Sequence, residues 1–481
     1  MAAEQFIAPL AEHARLRPDA LALRWRDGQC TWAEFNQQVE ARAAGWRKVG
    51  LVSGQRVVLR IHHGPSHLLE ALAVIAAGGV HCPLDSTLPA SQFAVAAQQL
   101  QAHWLLVDDA NLIDEKSSVV NAELVTEPLY RQQMAGDPSL SPADSAFIRH
   151  TSGTTGNSKG VLLSHAAIAA RADAAIIALD LHPGDSMMWV LSLAYHFAVS
   201  VGACLRAGVE IVFAASIRPR MSAEIARAAG VTHAYLSPPI AMALSRMEKI
   251  DLGPALRQVL VTTAAIDASV ADSLRIALAV PVRQALGIIE VGLPLLSPGA
   301  LGEPAGYLGQ AASGYAVMIR DQAGQPVASG ERGELYIRGP GLLSAYIDPW
   351  QDAVTLLNDG YFASGDAALI DSQGAVQLLG RLKTLVNIGG VKVFPLTVEA
   401  VLAAHPGVAH AKVYGEKDVG SSETLVASIE LQPSWTADDS LRASLIAHCR
   451  AHLAPLECPS KWVFEQISVT PSGKVRRDDM E

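Results

Sequence analysis

Charge is scarce in this 481-residue sequence: Asp, Glu, Lys and Arg make up 17% of it, while half is hydrophobic. Such a chain can bury a large core and is not expected to be disordered, and its length suits two or more domains. Positive charge is scarcer than negative, with 37 Lys and Arg against 47 Asp and Glu and a net charge of −10. No basic stripe stands out, which excludes a general nucleic-acid binder. Cysteine is limited to Cys30, Cys82, Cys204, Cys449 and Cys458, with no CxxC pair. An odd, scattered set of thiols argues against a disulfide framework or zinc site and suits a reducing cytoplasm. The start, MAAEQFIAPLAEHARLRPD, carries Glu4 and no basic leader, so it does not read as a signal peptide. Residues 186–205 contain no Asp, Glu, Lys or Arg, a length that could span a membrane. His196 within the segment and glycines at 184 and 202 favour a buried strand and helix, and the protein is expected to be soluble. Internal repeats and low-complexity tracts are absent.

What is present is an alternation of helix and strand. Residues 6–15 read as an amphipathic helix, and 21–25 as a strand turning at Asp27-Gly28. Thr31 and Glu34 form a capping box opening the next helix. Residues 57–61 are a strand, 68–77 a helix ending at Gly78-Gly79, and 80–84 a strand. Further strands are expected at 209–213, 231–236 and 259–261, and a polar, irregular surface connection over 117–145. This pattern predicts an α/β fold with parallel strands in layered sheets. From Gly333 the texture changes to short strands with hairpin turns, as in GELYIRG and the DSQG turn at 371–374. A fresh strand–turn–strand–helix unit begins near Arg381. The domain boundary is therefore expected at 380–383, giving residues 1–380 as a large domain and 381–481 as a small α+β domain.

The chemistry concentrates in Phe147 to His165, FIRHTSGTTGNSKGVLLSH. An apolar pair leads into a Ser/Thr/Gly-dense loop that closes at Lys159-Gly160 before another apolar run. Gly153 and Gly156 let backbone amides approach an anion, while Thr151, Ser152, Thr154 and Thr155 supply hydroxyl donors. Lys159 adds a point charge suited to phosphate oxygens. Ser, Thr and Gly are also ordinary turn residues, but this density of donors beside a lysine favours phosphate binding. It is not a Walker A loop, because Gly160 follows the lysine.

The run TSGTTGNSKGV resembles the phosphate loop of the adenylate-forming superfamily, which includes acyl- and aryl-CoA synthetases, peptide-synthetase adenylation domains and luciferases. The resemblance extends over nearly the whole chain. ALAVIAAGGVHCPLD is similar to a structural core motif of that superfamily. Ser364-Gly365-Asp366 after Tyr361 resembles the family motif whose aspartate grips the ribose hydroxyls, and Arg381 matches an arginine that also meets the ribose. The resemblance makes Lys383 the hinge of a mobile C-terminal lid and Lys474, in PSGKVRR, the catalytic lysine. A cation there would stabilise the charge that builds as a carboxylate attacks phosphorus. Gln284 to Glu290 is similar to the family's [NQ]xYGxTE: Gln284, Gly287 and Glu290 are kept, and Glu290 is the implied Mg²⁺ ligand. Leu286 replaces the aromatic that stacks on adenine, and Ile289 the threonine that meets the α-phosphate. Thr262 to Ile266, with Thr263 and Ala264 at its centre, stands where the family has its adenine loop.

Leu193 to Phe197 aligns with the segment lining the acid pocket, with His196 either gating the acid or packed in the core. Amino-acid-activating relatives carry an aspartate there to pair the α-ammonium. This chain has no acidic residue between Ser186 and Val209, and an unpaired buried ammonium is costly, so the substrate is not expected to be an α-amino acid. Gly389 and Gly390 match the lid loop that lines the pantetheine tunnel, and also suit a hairpin turn. The resemblance thus implies an ATP- and Mg²⁺-dependent acid–thiol ligase. It activates a small-molecule carboxylic acid as an acyl-adenylate, then forms a thioester with CoA or with the phosphopantetheine arm of an acyl carrier protein. A catalytically weak nucleotide- or acid-binding relative is the alternative from another class.

Overall fold

A computed structural model describes residues 6–113, 118–120, 128–134, 140–151, 159–214, 218–262, 266–388, 391–417 and 423–468. Two large sheets form the bulk of the chain. In one, strands run in the order Trp350–Asp352, Ala345–Ile347, Lys159–Ser164, Ser145–Thr151, Val80–Pro83, Arg56–Arg60, Trp104–Val107, Leu129–Gln133 and Ser118–Val120. In the other the order is Gly292–Leu296, Val282–Ile288, Gln258–Val261, His233–Leu236, Ser186–Trp189, Glu210–Phe213, Leu21–Trp25 and Gly28–Thr31. The centres of both sheets are parallel, as the alternating pattern predicts, but both are finished by antiparallel strands. One antiparallel junction brackets the Ser/Thr/Gly stretch of the sequence, and the other carries the Glu290 turn.

Strand parity explains the layering, since alternate side chains point to opposite faces. Leu59, Phe147, Val161, Met187, Trp189 and Tyr235 share one core between the sheets, together with the helices Trp32–Lys48, Pro65–Ala76 and His165–Leu179. The opposite face of the second sheet, carrying Met188, Val212, Ala234 and Val259, is covered by Pro219–Ala229, Pro238–Ser245 and Ala268–Leu278. The opposite face of the first, with Val58, Cys82, Ile148 and Leu162, is covered by Ala90–Gln99. The charge-free segment after Ser186 is a buried strand followed by short helical turns, as expected. No helix among the described residues is long and apolar enough to cross a membrane.

Local expectations hold closely at Leu21–Trp25 and at the Thr31–Glu34 capping box, whose two reciprocal bonds measure 2.8 and 3.3 Å. The expected irregular connection over 117–145 is corrected: it contains the strands Ser118–Val120 and Leu129–Gln133, the latter antiparallel to Trp104–Val107. Polar side chains on the strand next to the sheet edge hid a partly solvent-facing ladder, in which Leu129 alone of its strand is buried.

A third sheet, ordered Tyr307–Gly309, Val376–Arg381, Tyr361–Ile370, Arg332–Arg338 and Ala316–Arg320, carries the hairpin-rich region. Beyond it, Val386–Ile388, Val391–Val393, Pro395–Ala403, Val408–Lys417, Glu423–Leu431, Asp439–His452 and Lys461–Phe464 build a small α+β domain around its own core, which includes Val398, Leu402, Val413, Ile429 and Leu445. A separate apolar patch joins it to the third sheet: Ala367, Leu379 and Phe394, with Leu369, Leu382 and Leu385 against them. The Arg332 guanidinium lies 5.4 Å from the centre of the Phe394 ring.

Candidate active site

The strands Ser145–Thr151 and Lys159–Ser164 pair antiparallel with Thr151 opposite Lys159, so they bracket the Ser/Thr/Gly loop. The loop itself, with Ser152, Gly153, Thr154, Thr155 and Gly156, lies outside the described residues, as do the Thr151 side chain, Thr263, Ala264, Gly389, Gly390 and Lys474. Lys159 shares its face of the strand with Val161 and Leu163, the face turned to the central core. Its ammonium sits 4.6 Å from the centre of the Tyr346 ring, a cation–π contact. Tyr346 arrives on Ala345–Ile347, which pairs antiparallel with the lysine's strand and places Tyr346 opposite Val161.

The Tyr346 hydroxyl donates to Glu290 Oε1 at 3.0 Å. Burial and that carboxylate push the Tyr346 phenol well above its ordinary value, so it stays a donor. Glu290 lies in the turn between Val282–Ile288 and Gly292–Leu296, and the turn is held from below. Leu343 N–H donates to Glu290 O at 2.7 Å, and Arg171 Nη1 donates to Ile289 O at 2.7 Å. Arg171 is fully buried, with a pKa lowered to about 10 by desolvation, and also donates to Gly341 O. Gly341 has φ +71°, and a Cβ there would lie 2.2 Å from Ala167 O, so only glycine lets this loop close on the helix below.

Asp366 and Arg381 meet across neighbouring strands, paired in register with Nε 3.1 Å from Oδ1. Arg381 Nη1 also donates to Ser364 O at 2.9 Å. The aspartate side chain is buried at 6% exposure while the arginine is 59% exposed, so the pair forms a ledge with one solvent-facing partner. Lys383 follows in the turn Leu382–Thr384, exposed, with Thr384 Oγ1 donating to Arg381 O at 2.9 Å.

Gln284 is fixed by its N–H donating to Ser297 Oγ at 2.9 Å and its Oε1 accepting from Ile266 N–H at 3.2 Å. Leu286 and Ile289 are half-buried and pack against the central core, which accounts for their apolar character. Gly287 is exposed, and a Cβ on it would meet nothing nearer than 3.9 Å. Its glycine is not dictated by crowding within the chain.

His196 is half-buried, presenting its ring edge to Trp189 at 5.9 Å and Tyr235 at 6.0 Å. Those two rings stack at 5.3 Å, and Ser200 Oγ donates to the Tyr235 hydroxyl at 2.9 Å. His196 is therefore packed on one side and accessible on the other. Sequence reasoning missed Tyr346, Arg171 and Arg149. Arg149 Nη1 donates to Tyr195 O at 3.1 Å, and its guanidinium lies 4.8 Å from the centre of the Tyr195 ring. The available signal was an arginine at the same strand parity as buried Phe147. Among the described residues there is no cluster of three or more His, Cys, Asp or Glu side chains able to hold a metal.

This layered α/β body with a small C-terminal domain is the adenylate-forming enzyme fold. The chain aligns with an ATP-bound MatB from Rhodopseudomonas palustris over 99% of its own length and 98% of that chain, with a TM-score of 0.83 at 23% identity. An anthranilate CoA ligase bound to anthranoyl-AMP aligns over 99% and 96%, with a TM-score of 0.84 at 19% identity. The chain belongs to the AMP-binding enzyme family, whose model matches residues 10–347, and the family's C-terminal domain matches residues 397–474. Among curated relatives, a feruloyl-CoA synthase of an Amycolatopsis species is 26% identical, covering 97% of this chain and 96% of its own. An indoleacetate–CoA ligase of Aromatoleum aromaticum is 25% identical with the same coverage of 97% and 96%.

Proposed function

We propose that this protein is an AMP-forming acid–thiol ligase that activates a carboxylic acid, other than an α-amino acid, and passes the acyl group to CoA. The observation that carries the proposal is end-to-end similarity, over 97% of the chain, to CoA-thioester-forming members of its family. A carboxylate attacks the α-phosphorus of ATP, displacing pyrophosphate and leaving an acyl-adenylate; a thiol then attacks the acyl carbon and AMP departs. The roles of individual residues rest on the motif resemblance and on the geometry around Lys159, Glu290 and Asp366.

In this reading Lys159 and the loop before it hold the ATP phosphates, and Asp366 accepts from the ribose hydroxyls beside Arg381. Lys474 offsets the charge of the attacking carboxylate and the crowded phosphorus. In a site of effective dielectric near 20, one charge at about 4 Å is worth roughly 4 kcal/mol. Glu290 suits a Mg²⁺ ligand: Tyr346 occupies one oxygen, while among the described residues nothing donates to the other. A hard cation that keeps most of its waters needs only such a carboxylate oxygen and the substrate phosphates. When bound, Mg²⁺ would neutralise phosphate charge. The half-packed His196 would border the acid, and residues 381–481 would act as a lid turning about Lys383, with Gly389 and Gly390 beside the pantetheine arm. The five cysteines are free thiols, which fits a cytoplasmic setting.

The test is a panel of acids assayed for ATP-dependent pyrophosphate release, then for thioester formation with CoA or with a holo carrier protein. Release with simple acids and transfer to CoA is the expected result. Transfer only to the carrier would reassign the acceptor. Nucleotide binding without release for any acid would leave a non-catalytic binding protein.

A further inference from the structure

The ligase reading leaves Arg149 without a task. It stands on the strand Ser145–Thr151, two residues before the phosphate loop and on the same face as Phe147. A guanidinium has five N–H donors and stays charged at any working pH. Here Nη1 reaches only a backbone carbonyl, that of Tyr195, and Nε is enclosed with no acceptor. Among the described residues Arg149 forms no ion pair. Two other deep arginines of the central body are more fully engaged: Arg275 meets Asp272 and Glu303, and Arg171 spans two carbonyls.

Arg149 is half-buried, with Nε enclosed and its bond to Tyr195 O open to solvent. Burial depresses the Arg149 pKa, opposed in part by Tyr195 and then by the Glu290 charge. Glu290 is engaged by Tyr346 and is assigned to the phosphate side. The guanidinium lies 4.8 Å from the centre of the Tyr195 ring and Nη1 meets Tyr195 O, which anchors it to the segment 193–196 proposed to border the acid. An unmatched, oriented guanidinium is suited to a planar carboxylate held by two N–H groups.

We propose that Arg149 receives a second carboxylate, or an equivalent oxyanion, on the acid substrate, so that this ligase selects dicarboxylic acids and activates the end remote from Arg149. The geometry favours the remote end: two residues of extended strand place Arg149 about 7 Å from the start of the phosphate loop. This deepens the ligase reading and rests on it.

The experiment compares kcat/KM for ATP-dependent pyrophosphate release between matched acids. Malonate through adipate are set against propionate through hexanoate, and terephthalate against 4-methylbenzoate. The wild type should favour at least one dicarboxylate over its partner by about 10-fold or more. Arg149→Met should lower that ratio by roughly 30-fold or more, with Arg149→Lys in between, because removing one member of a buried charge pair is costly. Calorimetric binding of the preferred diacid to the wild type, with thermal melts of both variants, separates recognition from folding. A wild-type preference for monocarboxylates, or an equal fall for both series in Arg149→Met, overturns the assignment while leaving the ligase intact. No release with any acid, despite ATP binding, overturns the ligase reading and this inference with it.

Discussion

The two sides of the strand pair that carries the phosphate loop are built differently. On the proposed nucleotide side, each charged group has a partner within the chain, with one Glu290 oxygen left open: Lys159 on the Tyr346 ring, Tyr346 on Glu290, Asp366 on Arg381. On the proposed acid side the surroundings are aromatic and histidine-rich, and polar atoms are left over. Arg149 Nε and both ring nitrogens of fully buried His81 have no partner, and His81 lies among Phe147, Phe197 and His67. In the proposed reading, the contrast separates a preorganised site for an invariant ligand from an acid site whose polarity is set by one or two residues.

The largest test of this contrast is Lys474→Ala. Removing the proposed electrostatic stabiliser should cut the adenylation rate by roughly 10²–10³-fold, while transfer from preformed acyl-adenylate to CoA changes little. Measuring the half-reactions separately checks it, and an equal loss in both would count against the role.

Acid should expose the cost of the histidine-rich side next. Burial lowers His67 to about 3 and holds His81 well below its ordinary value, and away from that side His233, beside Asp185 and Arg257, is lowered to about 4. The unfolded chain therefore takes up protons first, so stability is full above about pH 6.5 and falls as pH drops toward 4. Each such histidine contributes roughly 1.4 kcal/mol per pH unit to that slope. His81→Leu should flatten it and raise neutral stability by about 1–3 kcal/mol, because an apolar side chain replaces unsatisfied nitrogens. Urea titrations at pH 7 and pH 5 read both effects, and an unchanged slope would remove His81 from the account.

On the nucleotide side, Asp366→Asn should raise the ATP Michaelis constant about 10–100-fold, since a charged acceptor is worth roughly 1.5–3 kcal/mol. Acid selectivity should not move, and a shift in it would break the division of the site. The smallest effect is expected for Tyr346→Phe, which keeps the ring over Lys159 and deletes the 3.0 Å bond to Glu290. A loss of about 1 kcal/mol corresponds to roughly five-fold in the Mg²⁺ concentration needed for half-maximal rate. A rate unaffected at limiting Mg²⁺ would show that the hydroxyl does not position the carboxylate.

The same contrast marks what was legible in the sequence. Strand and helix positions follow from apolar runs, punctuating glycines and the Thr31–Glu34 box, and the nucleotide motifs stand in short contiguous stretches. Partners distant in sequence did not: Tyr346 reaches Glu290 across 56 residues, and Arg171 reaches Gly341 across 170. Arg149 was in plain view inside FIRHT, but that it forms no ion pair among the described residues is a property of the packed fold. Leu286 and Ile289 read as departures from a motif, whereas their packing on the central core gives them a structural reason.

The apolar patch of Ala367, Leu379 and Phe394 has a thermal consequence. One fully buried phenylalanine contributes about 1.5–3 kcal/mol, so seating the C-terminal domain through so few side chains amounts to a few kcal/mol. For the proposed lid, shifting a two-state population from 1:99 to 99:1 takes about 5.5 kcal/mol, so a ligand with modest preference for one arrangement would redistribute the ensemble. Apolar contact also weakens on cooling. The seated arrangement should therefore thin out in the cold, well before the core of either domain is threatened.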